Sequence, residues 1–356
     1  MGVIHRFNTT LKSVMWGKQI GTIMGMETRI VYHNEPLPEA LEEVFSCEEL
    51  LRLDDVGMHC GCEYTSFPIF KGLSKYSRAQ HSYGVAAIIY HFTHDLAQSL
   101  SGAFHDISTP CFSHVIDFLH GDNQKQEYTE GLTEEMIASS KGIQSILSKL
   151  GISLEAVSDY HIYPIADNDT PKLSADRLEY SLSNIINFGF ATKQEAQELY
   201  DDLCVSTNEY GETELCFQSA EKGVRFAKLV LKTSKVYVCP EDRYSMHMLA
   251  LLLKQAVECG AIEEHDLYQT ESSLIEKLSI QPRFAELFAR FRALDNYTIA
   301  PEGTKGSVKI PAKLRHIDPS VKGMGRVSEI DPSFKAELAE FLSEDFAACF
   351  LIDPSF

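Results

Sequence analysis

Apolar residues recur at helical spacing along most of this chain, and the breaks between the periodic stretches carry helix-start signals. From Arg78 onward Val85, Ala86, Ile88, Ile89 and Phe92 form one apolar stripe, and Thr93 is placed to cap a second helix through Leu96, Leu100 and Phe104. A third helix follows, with Ser108 or Thr109 as its cap, Pro110 in its first turn and Gly121 past its end. Residues 133–150 make a further amphipathic stretch, and Thr170-Pro171 repeats the cap-then-proline signal before a helix through Asp176, Tyr180 and Ile186. Helical spacing also fits 193–204, 217–232, 241–258 and 282–294, with short acidic pieces after Glu35 and from Glu48 to Leu53. Strand-like runs are few: 235–240, 307–310 and 313–317. The pattern predicts a mainly α protein, a helical bundle with a small C-terminal β and irregular extension.

The exceptions to periodicity divide the chain. Residues 54–77 are rich in Gly, Ser and aromatics and read as a long loop, a length that usually signals function in a compact protein. An N-terminal extension over 1–45, of which 1–25 look loosely attached, precedes a helical core at 46–235 and a helical extension at 236–300. A strand, turn and helix segment fills 301–356. Ile-Asp-Pro-Ser recurs at 317–320, 330–333 and 352–355, at unequal intervals that fit three similar turns and no solenoid.

Charge narrows the partners. With 32 Lys+Arg against 51 Asp+Glu the chain carries a net charge of -19, which disfavours nucleic acid and anionic membranes. A small anionic substrate is compatible with that charge where a metal and local arginines meet it. No apolar run reaches a membrane span, no secretory leader is visible, and nine Cys without disulfide-like spacing fit reduced thiols, so a cytoplasmic location is expected. Cys60-Gly-Cys62 is the closest thiol pair and a weak metal or redox signal.

The chemistry concentrates where the second helix ends. His105-Asp106 puts an imidazole beside a carboxylate at the end of a buried segment, and a divalent cation is the economical reason to bury both. His81 lies three residues into its helix, and Asp176 shares a helix face with Tyr180. His81, His105, Asp106 and Asp176 would form a mixed N/O site suited to one divalent ion of Mn, Fe, Co, Ni, Zn or Mg, with positions left for water and substrate. The other pair, His94-Asp95, lies roughly 16 Å away along a helix axis and reads as polar residues at a helix start.

Taken in order, Arg78-Ala-Gln-His-Ser-Tyr-Gly-Val85, Phe104-His-Asp-Ile-Ser-Thr-Pro-Cys-Phe-Ser-His114 and Asp176-Arg-Leu-Glu-Tyr180 resemble successive motifs of the HD-domain metal-dependent phosphohydrolases, closest to the deoxynucleoside triphosphate triphosphohydrolase branch. The resemblance spans residues 50 to 190 and, more weakly, the helices to about 290. It implies an HD-domain phosphohydrolase acting on a nucleotide or related phosphate ester. It matches His81, His105, Asp106 and Asp176 to the metal ligands, and Arg78 to a phosphate contact in the catalytic machinery. His114 matches an acid/base oriented by Asp117, while Arg177 and Tyr180 match substrate contacts to phosphate and sugar. The resembled branch often self-associates, and the C-terminal strands would offer an edge for a homo-oligomer. The chain departs from the pattern at Thr109, where a further His is usual, near Glu130, where another is missing, at Phe67-Pro-Ile-Phe70, and in lacking a Gln-Leu-Gly element. Those departures keep a second expectation in view: a catalytically impaired relative that binds nucleotide or a protein partner as a regulator.

Overall fold

The computed structural model describes residues 30–32, 36–120, 131–353 and 356. Expectations for residues 1–25, Gly121 and Glu130 fall outside that set. The architecture is mainly α, and six helices frame one deep cavity: α1 (Arg78–Thr93), α2 (Leu96–Phe104), α3 (Val115–His120), α4 (Ala175–Asn187), α5 (Ala220–Tyr237) and α6 (Pro240–Glu258). α1 packs on α2 and α4, α4 on α5, and α6 on α3.

The helix ends show which residue wins each capping contest. α1 begins at a full capping box, in which the Ser77 hydroxyl accepts from the Gln80 backbone N–H and the Gln80 side chain accepts from that of Ser77. Thr93 is the last residue of α1, and Asp95 caps α2 instead, accepting from the Gln98 N–H. A carboxylate accepts that bond with full charge at the positive helix end. His94-Asp95 therefore serves a helix junction, with His94 in the left-handed conformation that ends α1. Ser174, adjacent to the helix, caps α4 in place of Thr170. The stretch 133–150 is two helices, Thr133–Ser139 and Lys141–Leu150, because Ser140 turns out of helical geometry to cap the second.

Two close approaches set the depth of the site. A Cβ on Gly84 would meet the Glu179 side chain at 2.5 Å, and one on Gly102 would meet Ile89 Cδ1 at 2.3 Å. Glycine at those positions lets α4 and α2 close onto α1 within a turn of His81 and His105.

Three expectations are corrected. Residues 235–240 form no strand; they are the end of α5 and the start of α6, with the β-branched Val236 and Val238 buried. Residues 313–317 are irregular. The helix expected from Ser108 or Thr109 starts only at Val115, since Phe112 and Ser113 adopt left-handed backbone, at φ 60° and 51°. Strands Leu203–Thr207 and Thr213–Phe217 pair antiparallel and continue through Ser320–Val321 and Gly325–Arg326 in one small sheet, while Ser307–Ile310 pairs with Ala348–Leu351 in another.

The buried apolar residues fall into two clusters. One joins α1, α2, α4 and α5; the other gathers α6, the helices at 271–292 and Phe67, Phe70 and Phe112. The cavity opens where the two meet, and residues from both line it.

Candidate metal centre

His81, on the first turn of α1, and His105, at the end of α2, meet with their Nε2 atoms 3.2 Å apart. Each ring is held from behind: His81 Nδ1 lies 2.6 Å from Glu179 Oε2 and His105 Nδ1 lies 2.7 Å from the Gly102 carbonyl. With Nδ1 donating to those acceptors, both Nε2 atoms face one shared space, where a metal would take their lone pairs and where, without one, His81 Nε2 donates to Asp176. Asp176 Oδ1 stands 3.0 Å from His81 Nε2 and 3.8 Å from that of His105, and Asp106 Oδ2 lies 3.5 Å from His105 Nε2. His81, His105 and Asp106 all offer ligand atoms within 4.8 Å of one another.

Those separations suit a metal. Bonds of about 2.0–2.2 Å from one ion to N and O ligands set neighbouring donors roughly 3–3.5 Å apart. The carboxylates of Asp106, Asp176 and Glu179 outnumber the guanidiniums of Arg78 and Arg177, and neutral imidazoles add no charge, a deficit that a divalent cation would remove. In the protein without metal a proton serves instead. Burial alone would lower the His81 pKa, but hydrogen bonds to Asp176 and Glu179 push it up to about 10. Burial acts against ionising Asp176, yet His81 brings its carboxyl down to about 2, and Arg78 with the two imidazoles holds Asp106 far below the carboxylate range.

Around the four groups lies a second layer of bonds. Arg78 Nη1 donates to both Asp106 oxygens, at 3.1 and 2.9 Å, and its Nε donates to Ser113 Oγ. The Thr109 hydroxyl donates to Asp106 Oδ1 at 2.7 Å, so Thr109 orients a candidate ligand and caps no helix. Glu179 accepts from the hydroxyls of Tyr32, Ser183 and Tyr76 besides facing His81. Every one of these groups fixes a donor's direction rather than adding another donor.

His114 sits at the cavity wall just before α3, turned there by the left-handed backbone of Phe112 and Ser113. Its Nδ1 lies 3.0 Å from Oδ2 of the buried Asp117, and its Nε2 lies 3.5 Å from Arg315 Nη2. Burial lowers its pKa to about 4 despite Asp117, with Arg315 and Arg78 adding to the effect, so the ring is neutral at pH 7. Tyr180 lines the cavity 6.4 Å from the His81 ring, and burial raises its phenol to about 12. Arg177 also borders the cavity, with its Nε donating to the Lys172 carbonyl, its Nη2 to Asn168 and its Nη1 3.3 Å from Asp167.

The cavity measures about 780 Å³. The sequence pattern missed several of its polar residues. Glu179 follows Asp176 by three on the same helix, so helical spacing contained the signal. Arg315, Lys313 and Asp242 carry none, because they reach the cavity through long-range folding. Cys60 lines it as a thiol, pushed up to about 12 by burial; all nine cysteines are free. No described helix is long and apolar enough to cross a membrane.

Fold and site together describe an α-helical scaffold with a His/Asp metal-binding constellation on the floor of a ligand-sized cavity. No family model matches the chain. It is 26% identical over 294 residues to the uncharacterized protein YdhJ of Bacillus subtilis, covering 82% of this chain and 87% of that one. It is 23% identical over 321 residues to the metal-dependent phosphohydrolase cns2 of Cordyceps militaris, covering 88% and 90%. Its fold is shared by a phosphohydrolase from Bacteroides thetaiotaomicron, at a TM-score of 0.59 and 14% identity over 91% of this chain and 97% of that one.

Proposed function

We propose that the protein is an HD-domain-type metal-dependent phosphohydrolase acting on a nucleotide or related phosphate ester. The observation that carries this reading is the pair of facing Nε2 atoms, 3.2 Å apart, with Asp106 and Asp176 beside them on the cavity floor. The similarity to a protein named as a metal-dependent phosphohydrolase supports it, as does the volume, which lies within the range of small-molecule sites.

His81, His105, Asp106 and Asp176 would hold one divalent ion. When bound, such an ion supplies Lewis-acid polarisation of a phosphoryl oxygen and lowers the pKa of water. The chain's own residues do the rest. Arg78 and Thr109 lock the Asp106 carboxylate, and Glu179 locks His81, so the donors need no reorganisation when charge develops. His114 is a neutral imidazole with Nδ1 toward Asp117, which leaves Nε2 to accept a proton from water. Tyr180, a neutral phenol on the α4 face that also carries Asp176, is placed to donate to substrate oxygen. With Thr109 engaged in orienting Asp106, the described residues would provide for one ion.

Elemental analysis of purified protein followed by a nucleotide and phosphate-ester panel with product identification tests the proposal. About one equivalent of divalent metal and release of phosphate or triphosphate are expected, with His105→Ala and Asp106→Ala losing both metal and turnover while retaining their helical circular dichroism. Turnover in either variant at the parent rate would refute it.

A further inference from the structure

We infer that the C-terminal segment 311–315 supplies the cavity's phosphate-binding cations, Arg315 first and Lys313 beside it, an inference that rests on the phosphohydrolase reading above. Both residues line the cavity of the candidate metal centre although they lie about 140 residues beyond Asp176, the last of its candidate ligands. Arg315 Nη2 stands 3.5 Å from Nε2 of His114, which also lines the cavity. Its charge is felt at His114, Tyr180, Tyr237 and Asp242, which places the guanidinium among the groups that a substrate beside the metal would touch.

The two arginines picked out by motif border the same cavity and have partners of their own, as Arg315 has in His114. Arg78 gives Nη1 to both oxygens of Asp106 and Nε to Ser113. Arg177 is committed to Asn168, Lys172 and Asp167. The lining also includes Asp106, Asp167, Asp169, Asp176 and Asp242, so a phosphate entering this cavity needs cations beyond Arg78, Arg177 and Arg243 to offset them. Arg315 and Lys313 are the cations that the C-terminal segment adds.

The segment is fastened on both sides. Arg243 Nη1 donates to the Ile310 carbonyl at 2.9 Å, and the Asp318 N–H donates to the Pro171 carbonyl at 3.0 Å. Ile310 is buried in one apolar cluster and Ile317 in the other. A strap pinned at each end presents its side chains at a fixed height above the metal floor, and a planar guanidinium there matches two phosphate oxygens at once.

Inorganic phosphate is the probe. Calorimetric titration of the full chain as purified is expected to give phosphate binding that weakens about tenfold or more in Arg315→Ala, partly recovers in Arg315→Lys, and weakens by a smaller factor in Lys313→Ala. Lys305→Ala, which removes an equal charge from an exposed turn outside the cavity, is expected to bind like the parent. Melting curves verify folding, and Arg315→Gln with Lys313→Ala carries the test if the alanine variant is unstable. Parent-like phosphate affinity in the folded Arg315 variants, or no phosphate binding by the parent chain, overturns the inference. Arg315-dependent phosphate binding without hydrolysis of any ester would support it while removing the catalytic reading. Ester hydrolysis with a KM indifferent to Arg315 would remove the inference and leave that reading standing.

Discussion

Glu179 shows how much of a site can hang on a residue that stands behind the candidate ligands. Its Oε2 faces His81 Nδ1 at 2.6 Å, and three hydroxyls, from Tyr32, Tyr76 and Ser183, hold the carboxylate in place. The carboxylate fixes the tautomer that turns the Nε2 lone pair toward Asp176 and His105. Glu179→Gln keeps the volume but offers His81 a weaker acceptor that can also flip to present a donor. Metal affinity is expected to fall about 10–100-fold, read by competition with a chromophoric chelator, with secondary structure unchanged. Affinity equal to the parent would mean that the His105 side alone orients the pair. At this scale the sequence was partly legible. His81, His105, Asp106 and Asp176 stood out because imidazoles and carboxylates at helix ends and on one helix face need a partner. Thr109 was misread as a cap because its hydroxyl satisfies either role, and only the fold shows Asp106 Oδ1 at 2.7 Å.

Among the elements, the irregular segment at 57–64 and the helix Glu271–Ser279 meet around two acidic side chains. Glu271 accepts from the Gly57 and Phe112 N–H groups and the Tyr64 hydroxyl, which ties the long loop to the turn that delivers His114. Glu63 lies half-buried nearby, and desolvation together with the charge of Glu271 pushes its pKa up to about 8. A carboxyl raised above its ordinary 4.5 in the fold binds its proton more tightly than in the unfolded chain. Its contribution to stability is therefore complete below about pH 4.5 and is lost as pH rises through about 8. Glu63→Gln, which cannot ionise, should flatten the fall in melting temperature between about pH 6 and 9, followed by thermal denaturation across that range. An equally steep fall in the variant would assign it to other groups. Most of the helices were legible from periodicity, Glu271–Ser279 being an exception, whereas helix ends were decided by side chains competing for the same N–H groups: Asp95 over Thr93, Ser174 over Thr170, Ser140 inside an otherwise continuous pattern. The strands at 203–207 and 213–217 were not legible. Leu203 continues the apolar stripe of the preceding helix, and the sheet's outer partners lie about a hundred residues away.

For the molecule as a whole, the cavity depends on the C-terminal segment bridging two apolar clusters, and one buried arginine anchors that segment. Arg326 donates Nη1 and Nη2 to Glu214 at 2.6 and 2.8 Å, Nε and Nη2 to Glu209 at 2.7 and 3.0 Å, and Nη1 to the Asp318 carbonyl at 3.1 Å. Glu214, itself buried, also accepts from the Leu173 N–H just ahead of the cap of α4. The strap that carries Arg315 and the helix that carries Asp176 are thus joined through one ion pair. Removing the cation alone strands the Glu214 carboxylate in a site without water, at a cost of about 3–5 kcal/mol, while replacing both partners by neutral groups of similar size removes the charge that needed compensation. Arg326→Ala should lower the free energy of urea unfolding by about that amount, and Arg326→Met combined with Glu214→Gln should recover most of it. The comparison separates an electrostatic anchor from a packing one. Equal losses in the single and the double variant would show that the aliphatic stem of Arg326 holds the segment, whereas recovery in the double variant assigns the anchoring to a charge pair whose members lie 112 residues apart in sequence and on opposite sides of the strap.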